Sequence, residues 1–121
     1  MIQLGSIFNV IDNTGVKKIL CINILNSKST KIKLEDIIIG VIKDTKNNKN
    51  FKKSMIVRGL VVRIKLYYNI KTGKSYLFKN NAVILIDNNC NPLGNRILGV
   101  IPKIFKEKYY MKISSISSEF I

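Results

Sequence analysis

A chain without histidine lacks the commonest general base, and this one spreads only seven carboxylates over 121 residues. No serine or cysteine stands beside an evident base, so the nucleophile pairing of a hydrolytic enzyme is absent. Glu35 and Asp36 are adjacent acids. On an extended chain neighbouring side chains point to opposite sides, so this pair is not expected to share a substrate. Cys21 and Cys90 are the only thiols. Two thiols alone cannot complete a zinc site, and both are expected to be reduced and buried. What the chain has in quantity is cation: 21 Lys and Arg and a net charge of +14. The chemistry on offer is neutralisation of a polyanion rather than cleavage of a bond, with nucleic acid as the first candidate partner and an acidic membrane surface as the second. No cofactor or metal is called for.

Among the cations, Arg96 is the strongest single candidate. It sits in a glycine-bounded loop, and its planar fork can hold one phosphate through two hydrogen bonds. Arg63 and Lys65 fall on one face of a predicted strand, with Lys71 and Lys74 at the turn that follows. Lys17, Lys18, Lys52 and Lys53 come next, the last two in a lysine-rich loop that also holds Lys46 and Lys49. For every lysine the plain alternative is a solvated surface charge. Tyr67, Tyr68 and Tyr76 have rings that could stack on bases, although packing within a ribbon explains them better.

The elements that position these residues read mainly as strands. The stretch 59–86 organises the rest: two β-prone arms flank a turn at Thr72-Gly73. Gly73 can take the positive φ of a tight turn. The inner ends of the arms, Leu60-Val61-Val62 and the run 82–86, are apolar throughout and are expected to be buried on both faces. The outer part, 65–74, is polar and basic, so a ribbon is expected to project from a hydrophobic body.

Residues 7–11 read as a short strand, and Asp12-Asn13-Thr14-Gly15 as a turn. A phosphate-cradling loop is the functional alternative for that turn. Residues 16–25 form a longer strand with Leu20, Ile22 and Ile24 on its apolar face. Residues 37–42 are a third strand, and Gly59 suggests a bulge or barrel corner in the next. Pro102 opens a predicted helix over 103–108. Tyr109, Ile113 and Ile116 are spaced for a second helix, with strand as its rival. One domain spanning 1–121, a small closed β-barrel, is the expected architecture.

No apolar run is long enough to span a bilayer; the run 36–42 is typical. Residues 1–5 lack the features of a signal peptide, so export is not expected. Lysine outnumbers arginine 18 to 3 and Ala82 is the only alanine, which suggests an AT-rich, organellar or parasite genome.

Several motifs are similar to those of the universal large-subunit ribosomal protein fourteen family, in its bacterial and organellar form. Asp12-Asn13-Thr14-Gly15 resembles its Asp-Asn-Ser-Gly turn, and Glu35-Asp36-Ile37-Ile38 its Gly-Asp-Ile-Ile. Val61-Val62-Arg63 and Asn81-Ala82-Val83-Ile84-Leu85-Ile86 resemble its ribbon arms. Pro92-Leu93-Gly94-Asn95-Arg96-Ile97-Leu98-Gly99 is similar to its Pro-x-Gly-Thr-Arg-Ile-Phe-Gly loop. Tyr110-Met111-Lys112-Ile113 is similar to Phe-Met-Lys-Ile, and Met1-Ile2-Gln3 and Glu119-Phe120-Ile121 to its two ends. The matches run in order along the whole chain. Departures are local: Lys52-Lys53-Ser54-Met55 stands for Lys-Lys-Gly-Asp, Ile64 for Thr, Thr72 for Asp or Asn, Asn95 for Thr and Val100 for Pro.

The resemblance implies an all-β fold: a five-stranded barrel with a projecting ribbon and two short C-terminal helices. It implies a structural constituent of the large ribosomal subunit that binds large-subunit rRNA and forms an intersubunit bridge with small-subunit rRNA. Implied neighbours are large-subunit proteins three and nineteen, and a ribosome-silencing factor is a further implied partner. No membrane partner is implied. The setting implied is the ribosome of a plastid-like organelle or mitochondrion, with the bacterial cytoplasm as the other option. The rival from a different class is a free-standing single-strand nucleic-acid binder on an OB-like barrel, against which the scarcity of arrayed aromatics counts.

Overall fold

The computed structural model describes residues 2–25, 31–46, 50–69, 73–77, 80–106 and 111–120. Five strands close into a barrel in the order β2 (Ile7–Val10), β3 (Val16–Ile24), β5 (Ile37–Thr45), β6 (Ile56–Arg63) and β9 (Ala82–Ile86). Neighbours are antiparallel except β9 and β2, whose parallel pairing shuts the ring. Closure leaves no open barrel edge for a stray strand to join. Three two-stranded pieces lie outside it: β1 (Ile2–Gln3) with β4 (Lys31–Ile32), the ribbon β7 (Leu66–Asn69) with β8 (Lys74–Leu77), and β10 (Ile97–Ile101) parallel to β11 (Ser117–Phe120).

The apolar arms are buried on both faces because each face has its own core. Val61, Val83 and Leu85 point into the barrel with Phe8, Ile19, Ile38 and Ile42. Leu60, Val62, Ile84 and Ile86 meet Ile97, Ile101, Phe105 and Ile113 of the C-terminal segment instead. Alternation along a strand makes both possible at once. The C-terminal segment is held down by that second core. It contains a 3-10 turn over Lys103–Lys106, helix α1 (Met111–Ile116) and then β11. Ile113 and Ile116 lie in the helix, as their spacing suggests, and strand begins only at Ser117. The predicted helix residues 107–108, and Tyr109, lie outside the described residues.

Four expectations need correcting. In β3 the buried residues are Val16, Ile19, Cys21 and Ile24, while Ile22 is 46% exposed. The pairing with β5 shifts register between Val16 and Ile19 and again between Cys21 and Asn23. Each irregularity adds an unpaired residue and resets which side faces inward, so simple alternation gave the wrong apolar face. Gly59 lies in continuous register between Ile38 and Leu85, and the shift in β6 falls at Val62 instead. The reason for glycine is space. A Cβ at Gly59 would lie 3.3 Å from Val83 Cβ, and one at Gly40 would lie 2.9 Å from Ile19 Cδ1. Glu35 has φ 74°, so Glu35-Asp36 is a turn rather than extended chain. There Asp36 Oδ2 accepts the Lys33 N–H at 2.7 Å. Finally, Cys21 is buried but Cys90 is exposed, at φ 63° in a turn. Burial pushes the Cys21 thiol pKa up.

Candidate nucleic-acid interface

The turn 12–15 is a fastening point. Asp12 is buried, and both its oxygens are engaged: Oδ1 accepts the Thr14 hydroxyl at 2.6 Å and the Thr14 N–H at 3.2 Å. Oδ2 accepts the Leu85 N–H of β9 at 3.0 Å. Gly15 takes φ 96° to complete the turn. Asn13 then points at the other loop. Its Oδ1 accepts the N–H of Asn95 at 2.7 Å and of Arg96 at 3.3 Å. Gly94 makes the approach possible, since a Cβ there would lie 2.8 Å from that same oxygen. The Leu98 N–H donates to the Ile11 carbonyl at 2.7 Å. The Arg96 backbone is thus held at both sides while its side chain stays exposed. A guanidinium exposed in this way has the planar geometry that matches two oxygens of a phosphate.

The same turn walls a groove. Lys17, Lys18 and Lys46 line it together with Asn13, Thr14, Asp44 and Leu98. Lys17 and Lys18 are sequence neighbours, yet both are exposed, because Lys17 is the extra β3 residue of the irregularity between Val16 and Lys18. Lys46 joins them through the β3–β5 ladder. Val16 pairs with Thr45, and the Lys46 N–H donates to the Gly15 carbonyl at 2.9 Å. The sequence placed Lys46 only within a lysine-rich loop; its position beside Lys17 depends on a pairing that no local pattern reveals. Asp44, paired with Lys18 across the ladder, puts one carboxylate among these cations.

The remaining candidates are dispersed. Lys52 and Lys53 are exposed on the turn that precedes β6, closed by the Met55 N–H on the Lys52 carbonyl at 3.3 Å. Ser54, standing for the family's glycine, takes φ 70° there. Lys65 is exposed, and its N–H donates to Asn81 Oδ1 at 2.8 Å. Arg63 does not share a continuous strand face with it, because β6 ends at Arg63 and the ribbon starts again at Leu66. The Arg63 fork turns into the protein: Nη2 donates to Asn80 Oδ1 at 2.8 Å and Nη1 to the Val100 carbonyl at 3.4 Å. Lys74 opens β8 and pairs with Asn69, and Gly73 takes φ 70° beside it. Lys71 lies outside the described residues, as do the side chains of Lys74, Tyr67, Tyr68 and Tyr76.

Sequence comparison bears directly on what these cations meet. The profile of the family described as ribosomal protein L14p/L23e matches residues 1–121. The chain belongs to this family. It is similar to the large ribosomal subunit protein uL14c of Eimeria tenella, with 45% identity over 121 residues covering all of both chains. It is also similar to the protein of the same name from Toxoplasma gondii, with 48% identity over 116 residues, 96% of each chain. Membership makes this a structural, non-enzymatic constituent of the large ribosomal subunit. The closed five-stranded barrel is the architecture that the family resemblance implied.

Proposed function

We propose that the chain acts as one domain that clamps folded large-subunit rRNA in an organellar ribosome. The observation that carries this reading is the grouping of Lys17, Lys18 and Lys46 in one groove whose wall, Asn13, also fixes the Arg96 backbone. Three cations from two separate stretches of chain line that groove, and the loop that carries a fourth, Arg96, is fastened to its wall. Folded RNA is read largely through shape and phosphates, so a rigid surface of this kind suits it. Each phosphate contact steepens the fall of binding with salt by roughly 0.7 to 0.9 log units per log unit. Lys52, Lys53 and Lys65 are further contacts, with Lys71 and Lys74 at the ribbon turn. In this reading the protein also reaches small-subunit rRNA at the subunit interface. It packs beside large-subunit proteins three and nineteen and offers a surface to a ribosome-silencing factor. The organellar setting is supported by the two uL14c relatives and by the lysine-heavy composition.

The test is a Lys18→Glu, Arg96→Glu double variant, both positions being exposed. It should fold normally yet be lost from large subunits in a sucrose gradient. Sedimentation with large subunits at the unaltered level would overturn the assignment of this site.

A further inference from the structure

Arg63 stands at the end of β6, just past the register shift at Val62. It is half-buried, and burial lowers its pKa below the ordinary arginine value. Nε is buried with no hydrogen-bond partner among the described residues, so the group has given up part of its hydration to lie where it does. The two bonds of its fork lead to different parts of the chain. Asn80 lies on the return leg of the ribbon, between β8 and β9, and Val100 lies on β10, the strand that leaves the Arg96 loop. The neighbouring Gly99 has φ 83°, and a Cβ there would lie 3.1 Å from Nη1. Glycine at 99 thus both turns the chain and leaves room for the guanidinium.

We propose that Arg63 is a positioning residue. Its fork ties the root of the ribbon to β10 and so sets the spacing between the segments that present Lys65 and Arg96. This rests on the rRNA reading above and sharpens it: phosphates are met by Lys65 and Arg96, and Arg63 meets none. Only arginine fits the role, because a guanidinium donates in two fixed directions, whereas an ammonium is a point charge on a flexible stem.

The test compares Arg63→Lys, Arg63→Gln, Asn80→Ala and the Arg63→Lys/Asn80→Ala pair in the full chain. Two quantities are read: the salt dependence of binding to a large-subunit rRNA transcript, and amide hydrogen exchange along β10. Arg63→Lys should weaken binding about tenfold, the scale of one lost charge-assisted hydrogen bond, despite keeping the charge. Arg63→Gln should do the same without changing the salt slope. Asn80→Ala should weaken binding in the same direction, and the double variant should be no worse than Arg63→Lys alone. Exchange along β10 should quicken in every Arg63 variant.

A phosphate contact behaves differently. Arg63→Lys would then bind nearly normally, and Arg63→Gln would lower the slope by roughly 0.7 to 0.9. Either result, or unchanged β10 exchange, overturns the proposal. If the unaltered protein bound the transcript without salt dependence, the rRNA reading would fail instead. The exchange measurement would still decide whether Arg63 ties the two segments.

Discussion

Arg96 and Arg63 are two of only three arginines in the chain, and the protein holds them in opposite ways. At Arg96 the main chain is fixed, by Asn13 and by the Leu98–Ile11 bond, and the side chain is left exposed. At Arg63 the side chain is fixed, on Asn80 and Val100, and is half-buried. A cation meant for an outside partner needs a firm base and a free head. A cation that ties segments together needs the reverse. Residue type is identical, so the difference lies wholly in what the fold brings near.

The strongest way to break this contrast is to cut the base of the Arg96 loop. Asp12→Ala removes the acceptor for Leu85 N–H inside the barrel wall and for Thr14 in the turn. A buried donor left without a partner should cost about 2 to 3 kcal/mol. The denaturation midpoint should fall accordingly, and exchange should rise around Arg96 before it rises around Arg63. An unchanged midpoint would mean that the turn is not the anchor described. A smaller effect, of opposite sign, is expected at a third segment held through its main chain. Ser54 keeps its left-handed conformation because its N–H bonds the Ile42 carbonyl and Met55 accepts from Ile42. Ser54→Gly should therefore raise stability by about 1 kcal/mol, seen as a higher melting temperature. A lower melting temperature would show that the serine, not the ladder, holds the turn.

The smallest effect separates the two arginines by pH. Asp87 accepts N–H bonds from Asn89 and Asn91 in the loop that leads towards Arg96. The bond from Asn91 is the largest reason its pKa lies below the ordinary carboxylate value, with Lys112 a lesser one. Its contribution is complete above the unfolded-state pKa of about 3.9 and is lost as pH falls through the lower folded value. In acid, the 87–96 loop should loosen while the bonds of Arg63 to Asn80 and Val100, which involve no carboxylate, persist. Exchange measured at pH 5 and pH 3 checks this. Equal loosening of both regions would remove the distinction.

Much of the fold was legible because the decisive patterns were local. Val61 and Leu60 sit next to each other and both are buried, which announces a strand with a core on each side. Turns at Gly15 and Gly73 were readable from residues that tolerate positive φ. The phase of β3 was not, because a register irregularity depends on the partner strand as much as on the strand itself. Cys90 was misjudged because burial follows the loop that carries the thiol rather than its chemistry. At the site, Lys17, Lys18 and Arg96 were visible as cations. The role of Asn13 was hidden, since its partners lie 82 and 83 residues away. The placement of the Arg63 fork was hidden for the same reason: its acceptors on Val100 and Asn80 lie 37 and 17 residues away.

The irregularity in β3 has one more consequence. A regular strand offers one side chain to a given side every two residues, about 6.6 Å along its length. Lys17 and Lys18 evade that limit, since consecutive residues are both exposed. The wall of the barrel thereby carries twice the positive charge per unit length at the place where the groove begins. A misalignment that weakens the ladder by a pairing also makes this point of the surface denser in charge than an ideal sheet could be.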